Sequence, residues 1–209
     1  MHQVTELIYV HDPMCSWCWG FRPTLERLRG ELPAALGFRR LLGGLAPDSD
    51  QPMADEMRAH LQATWRRIAE RIPGTTFNHD FWRVCQPRRS TWPACRAVIA
   101  ARMLDSEAED TMITAIQHAY YVEARNPSDD DTLVALAAQI GLATQPFATR
   151  LHAPETQAAL AAEIAESRRI GAHSFPSLRL RIAETYWPVA VDYNDAAGML
   201  DLIQQLLDG

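Results

Sequence analysis

Apolar and polar positions follow two rhythms along this chain, and the change of rhythm divides it. Thr5 to His11, centred on Leu7-Ile8-Tyr9-Val10, has strand character, and Asp12-Pro13 ends it because the residue before a proline is pushed out of the helical region. A helix then runs from Cys15 through Leu25, Leu28 and Leu32, with Pro23 inside it removing a backbone donor. Gly37 to Leu42 is extended again and closes at Gly43-Gly44. Strand, helix, strand is the opening of an α/β unit.

From about Pro52 to Gly171 the rhythm is helical throughout. Met53, Met57, His60, Leu61, Trp65 and Ile68 recur at helical spacing, as do Val98, Ile99 and Met103, and then Met112, Ile113, Ile116 and Tyr120. Ser128 followed by Asp131 predicts a capping box ahead of Leu133-Val134-Ala135-Leu136. Another helix starts after Pro154 and stops at Gly171, with Glu163 and Glu166 on its solvated side. Beyond Gly171 the period returns to two. Leu178, Leu180 and Ile182 alternate with Arg179 and Arg181, and Tyr186 to Val191 completes a hairpin whose Pro188 belongs on a sheet edge. Asp195 to Leu207 predicts a closing amphipathic helix.

The chemistry sits where the first strand hands over to the first helix, at Cys15-Ser16-Trp17-Cys18. Two cysteines at this spacing form a dithiol that closes into a small ring and reopens. At the helix start, unpaired backbone N–H groups and the positive end of the helix dipole favour a thiolate, so Cys15 is expected to be the exposed nucleophile. Cys18, one turn deeper on the same face, is placed to attack a mixed disulfide formed at Cys15 and resolve it.

Composition narrows the setting. The net charge is −6 and all 20 basic residues are arginine, with no basic stripe for a phosphate backbone, so nucleic acid is not an expected partner. Met1-His2-Gln3-Val4-Thr5-Glu6 lacks the pattern of a leader and no stretch is long enough to cross a bilayer, which predicts a cytoplasmic protein without a membrane partner. In a reducing compartment a close cysteine pair reads as catalytic or metal-binding, not structural.

The order of elements, with a helical stretch between the second strand and the hairpin, resembles a thioredoxin fold carrying a large all-helical insertion, as in the DsbA-like branch. More narrowly, Asp12-Pro13-Met14-Cys15-Ser16-Trp17-Cys18-Trp19-Gly20-Phe21, Gly43-Gly44-Leu45 and Ser174-Phe175-Pro176-Ser177 are similar to the FrnE-like group of predicted protein-disulfide isomerases. The resemblance divides the chain into a thioredoxin-fold domain, 1–48 plus 172–209, and an inserted helical domain, 49–171. It makes Pro176 the family's cis-proline beside the active-site pair, with Phe175 offering backbone groups to an extended substrate. Ser16-Trp17 replaces the Pro-His of the periplasmic oxidant, so that enzyme's oxidising character does not transfer.

Other residues carry two readings each. His11 and His173 either tune a thiolate or are solvated, and Asp12 either exchanges a proton with Cys18 or makes a turn. Trp17 is read as substrate-facing, whereas Trp19 and Phe21 are equally core residues. Cys85 and Cys95 read as packing residues, against a second disulfide or, with the first pair, a zinc tetrathiolate. No metal is expected. The function expected is a thiol–disulfide oxidoreductase or protein-disulfide isomerase acting on protein or small-molecule disulfides, needing no cofactor beyond an external thiol couple such as glutathione or thioredoxin. The rivals are a glutathione-dependent transferase or isomerase of the kappa type and a non-catalytic redox-sensing binding protein.

Overall fold

The computed structural model describes residues 4–209; residues 1–3, part of the segment read for a leader, lie outside the described residues. Strand β1 (Thr5–His11) pairs in parallel with β2 (Gly37–Leu42) and antiparallel with β3 (Ser177–Ile182), and β4 (Thr185–Val189) follows, giving the order β2-β1-β3-β4. The parallel pair requires a crossover, supplied by helix α1 (Ser16–Glu31), with Pro23 inside it. Pro188 lies on the edge strand β4 opposite Arg179, where a missing N–H costs no ladder bond.

The alternation of β1 decides which layer each side chain joins. Leu7 and Tyr9 pack with Phe21, Leu25 and Leu28 of α1 and with Met199 and Ile203 of α9 (Ala196–Asp208). Ile8 and Val10 pack with Leu41, Ile170 and Ala172, and Phe175 lies against this second cluster. Asp195 caps α9 by accepting from the Gly198 N–H at 2.9 Å.

Two compact units result: residues up to Gly43 together with Glu163–Gly209, and Gly44–Ala162. The change of unit falls at 43/44 and 162/163, whereas the division the resemblance implies falls at 48/49 and 171/172. The reason lies in the last turns of α8 (Pro154–Arg169). The Glu163 carboxylate accepts from the Leu42 N–H at 2.8 Å, and Glu166 pairs with Arg39 at 2.9 Å, so these turns bond directly to β2. That side of the helix is not solvated as the sequence suggested. Gly171, at φ +77, ends the segment as expected, and the Arg179 guanidinium donates to the Ile170 and Gly171 carbonyls there.

The second unit comprises α2 (Asp55–Arg71), α3 (Phe81–Val84), α4 (Trp92–Leu104), α5 (Ala108–Tyr121), α6 (Asp130–Gln139), α7 (Thr144–Leu151) and the first turns of α8. Cys95, Val98, Ile99 and the alanines of α4 are buried, and Trp65 gathers Phe77, Phe81, Trp82, Tyr120 and Tyr121 around it. Helices α3 and α7 have too few turns to show a period. The capping box at Ser128 is not formed: Asp129 occupies the N-cap, and the Ser128 hydroxyl donates to the Ser90 carbonyl at 2.6 Å. Among the described residues no helix is long and apolar enough to cross a membrane.

Candidate active site

Helix α1 begins at Ser16 with Cys15 as its N-cap residue, in extended conformation and without a side-chain cap bond. The turn that delivers it is built by Asp12, whose carboxylate accepts from the Met14 N–H at 2.8 Å and whose carbonyl accepts from the Cys15 N–H at 3.0 Å. Asp12 is fully buried and its carboxylate forms the turn, the second of the two readings its sequence allowed.

Cys15 and Cys18 are both free thiols. Cys15 retains 6 % of its surface and Cys18 1 %, so the expected order of accessibility holds but the expected exposure of Cys15 does not. The Phe175–Pro176 segment lies against it. The peptide bond between those residues is cis, and the Cys15 Sγ–H donates to the Phe175 carbonyl at 3.5 Å. The carbonyl assigned to substrate pairing is thus occupied by the thiol. A Ser177 hydroxyl bond to the Ser174 carbonyl, 2.6 Å, closes the turn around the proline. The Phe175 ring lies where a side chain on Gly43 would be, since a Cβ built there would sit 2.0 Å from the ring. Any other residue at 43 would have to displace that ring, which accounts for one residue of the Gly43-Gly44 pair.

Beneath α1, two side chains of β1 face the dithiol region. Tyr9, 3 % exposed, stacks on His11 with ring centroids 4.9 Å apart and planes 3° from parallel, and lies 6.0 Å from Phe21. Burial pushes the Cys18 thiol well above its ordinary range, the hydrogen bond and charge of Cys15 push the same way, and the Asp12 backbone and the Tyr9 side chain oppose them. Burial likewise raises Tyr9, which stays a phenol able to donate, although Arg40 on β2 acts in the opposite direction.

His11 is 1 % exposed, and neither ring nitrogen has a hydrogen-bond partner. Burial first, and the Arg40 charge second, lower its pKa to about 3, so it is a neutral imidazole. The solvated reading of His11 needs correcting, since the imidazole is buried. The physical cause is that the last residue of β1 still lies under α1 and is not in a turn. His173 is exposed.

The remaining residues fall as follows. Ser16 is buried at the first helical position. Trp17 is half-buried with its ring 5.1 Å from Tyr193, Trp19 is half-buried under the Arg22 guanidinium, and Phe21 is core. Cys95 is buried as expected, but Cys85 is half-exposed and donates to the Ala124 carbonyl at 3.0 Å; both are free thiols. Tyr9 and Arg40 were not singled out from the sequence. Counting back by two from His11 along the strand would have found Tyr9, whereas Arg40 is placed beside it only by the parallel register Tyr9↔Arg40.

A family model described as thioredoxin matches residues 8–181. The chain belongs to the thioredoxin family. Its structure is similar to that of a protein from Nitrosomonas europaea with a provisional protein disulfide isomerase assignment (26 % identity, TM-score 0.85, 98 % of each chain covered). It is also similar to the cytosolic disulfide reductase DsbM of Pseudomonas aeruginosa (27 % identity, TM-score 0.77, covering 97 % of this chain and 98 % of that one). DsbA enzymes at lower identity share the fold, which is thus the DsbA-like form of the thioredoxin fold. Among curated proteins, the ClpXP adapter protein SpxH of Halalkalibacterium halodurans is 23 % identical over 170 residues, 79 % of this chain and 55 % of the relative. The chain spans about half the length of the curated relatives it matches.

Proposed function

We propose that this protein is a thiol–disulfide oxidoreductase that reduces or isomerises disulfides in a reducing, cytoplasmic setting. The observation that carries the reading is the placing of three parts within one unit: Cys15 at the N-cap of α1, Cys18 a turn deeper on the same helix, and the Phe175 carbonyl ahead of cis-Pro176 in contact with the Cys15 sulfur. In the reaction the Cys15 thiolate attacks a substrate disulfide, a mixed disulfide forms and one substrate thiolate leaves. Cys18 then attacks the Cys15 sulfur, the second substrate thiolate leaves, and the protein carries the Cys15–Cys18 disulfide. An external thiol couple returns the dithiol; a structure of DsbM with glutathione makes glutathione the first couple to try.

The residual 6 % exposure of Cys15 favours substrates that bring a protruding or small disulfide, because a broad surface cannot reach the sulfur past Phe175. Trp17 is the substrate-facing residue of this reading, with Ser16 as the uncharged spacer beside it. The test is reduction of insulin and reactivation of scrambled ribonuclease in a glutathione buffer. Activity is expected from the wild type and not from Cys15→Ser; a wild type inert in both assays would overturn the reading. Activity surviving Cys15→Ser would point to the kappa-type rival.

The description of the curated relatives as adapter proteins favours one alternative, a binding protein whose cysteines sense oxidation. Trapping separates the two. Cys18→Ala should accumulate mixed disulfides with several clients if the protein turns over, and with one or none if it is a sensor.

A further inference from the structure

Resting on the thiol–disulfide reading, we propose that Tyr193 is a positioning residue: it fixes the Trp17 indole beside Cys15 as one wall of the substrate site, and that wall selects polypeptide disulfides with an aromatic side chain next to the cysteine. The geometry starts on α1, where Trp17, Phe21 and Thr24 follow one another at i, i+4 and i+7, a single stripe of the helix. Tyr193, in the link between β4 and α9, lies along that stripe. Its ring is 5.1 Å from Trp17 with the planes at 50°, and 5.8 Å from Phe21, edge-on at 82°. Its carbonyl accepts from the hydroxyl of buried Thr24 at 2.6 Å.

The link is tied down on both sides of Tyr193. One oxygen of the Asp192 carboxylate accepts from the Asn194 and Asp195 N–H groups at 2.8 and 3.0 Å, the Asp192 N–H meets the sulfur of buried Met199 at 3.4 Å, and Asp195 caps α9. Phe21 is fully buried, so the Tyr193 ring connects Trp17 to the core of this unit. Trp17 and Tyr193 are nevertheless only half-buried. An aromatic pair that is open to solvent and held in place offers contact area without the ordering cost of a mobile side chain. Cys15 is the N-cap of α1 and Trp17 the second residue of the helix. On one side the Cys15 sulfur meets the Phe175 carbonyl at 3.5 Å, so the first turn of α1 is the flank left for the chain next to a captured cysteine. An aromatic side chain in that chain meets the two rings. Glutathione, whose cysteine lies between glutamyl and glycyl residues, has no such side chain and recycles the dithiol without using the wall.

The test uses two disulfide-linked peptide dimers, alike except for phenylalanine or serine beside the cysteine, and follows their reduction by the protein with reduced glutathione as the external thiol. Wild type should have the lower KM for the phenylalanine peptide. In Tyr193→Ala that KM should rise roughly three- to ten-fold, with kcat moving less than about two-fold, until the two peptides react alike. Tyr193→Phe, which keeps the ring, should retain the wild-type preference, and Tyr193→Leu, which fills the space without a ring, serves if Tyr193→Ala folds poorly. Adding Tyr193→Ala to Trp17→Ala should change nothing further, because Tyr193 acts through the indole. A wild type without preference, a preference that survives loss of the Tyr193 ring, or a slowing of both peptides by the same factor overturns the role of Tyr193 and leaves the function intact. A wild type that reduces neither peptide faster than glutathione alone overturns the function itself.

Discussion

His11 is the residue whose chemistry the fold changes most. Its ordinary pKa of 6.5 is lowered to about 3 by burial and by Arg40, so the unfolded chain binds a proton that the folded chain refuses. The stability His11 provides as a neutral group is therefore present above about pH 6.5 and is lost as pH falls from there towards 3, on the order of 1 kcal/mol by pH 5.5. Thermal unfolding followed between pH 7.5 and 5 should show this loss in wild type and a smaller loss in His11→Phe, which keeps the stack on Tyr9. Identical pH slopes in the two proteins would mean that the imidazole is not held neutral. The identity of His11 was legible in the sequence and its state was not, because burial of a strand-end side chain depends on what crosses above it.

At the scale of elements, the periods read from the sequence located β1, β2, the β3–β4 hairpin and the long helices, since each period reports a face that must be buried. The polar face of α8 was the exception. Glu163 and Glu166 looked solvated, but they cover the open edge of β2: Glu163 takes the Leu42 N–H, and Glu166 with Glu6 holds the Arg39 guanidinium. Hydrogen bonding from Arg39 holds the Glu166 carboxyl below its usual range, with burial opposing. Leu42 is buried, so removing the acceptor leaves its N–H without a partner. Glu163→Ala is expected to cost about 1–3 kcal/mol in denaturant unfolding. Glu26→Ala, which breaks the more exposed Arg22–Glu26 pair, is expected to cost at most about 0.5 kcal/mol. Equal costs for the two would show that the strand edge does not depend on Glu163.

For the whole molecule, the quantity that decides net direction is the midpoint potential of the Cys15–Cys18 couple. A strongly oxidising couple needs a reduced form stabilised as thiolate, and here the intervening Ser16-Trp17 is uncharged, His11 is neutral and Cys18 is held as a thiol. Equilibration with glutathione is expected to place the midpoint nearer thioredoxin, roughly −270 mV, than DsbA, roughly −120 mV. A value at the DsbA end would reverse the proposed direction and make the protein an oxidant.

The sequence alone determined the elements and the dithiol: hydrophobic period and the spacing of Cys15 and Cys18 are properties of neighbouring residues, and short-range geometry reads them directly. Tertiary structure alone decided that Cys15 meets a carbonyl 160 residues away, that Tyr9 stacks on His11 in the buried layer, and that His11 is neutral. Those outcomes depend on which distant segments meet. Packing and desolvation act on distances in space, and no local pattern in a single chain encodes them.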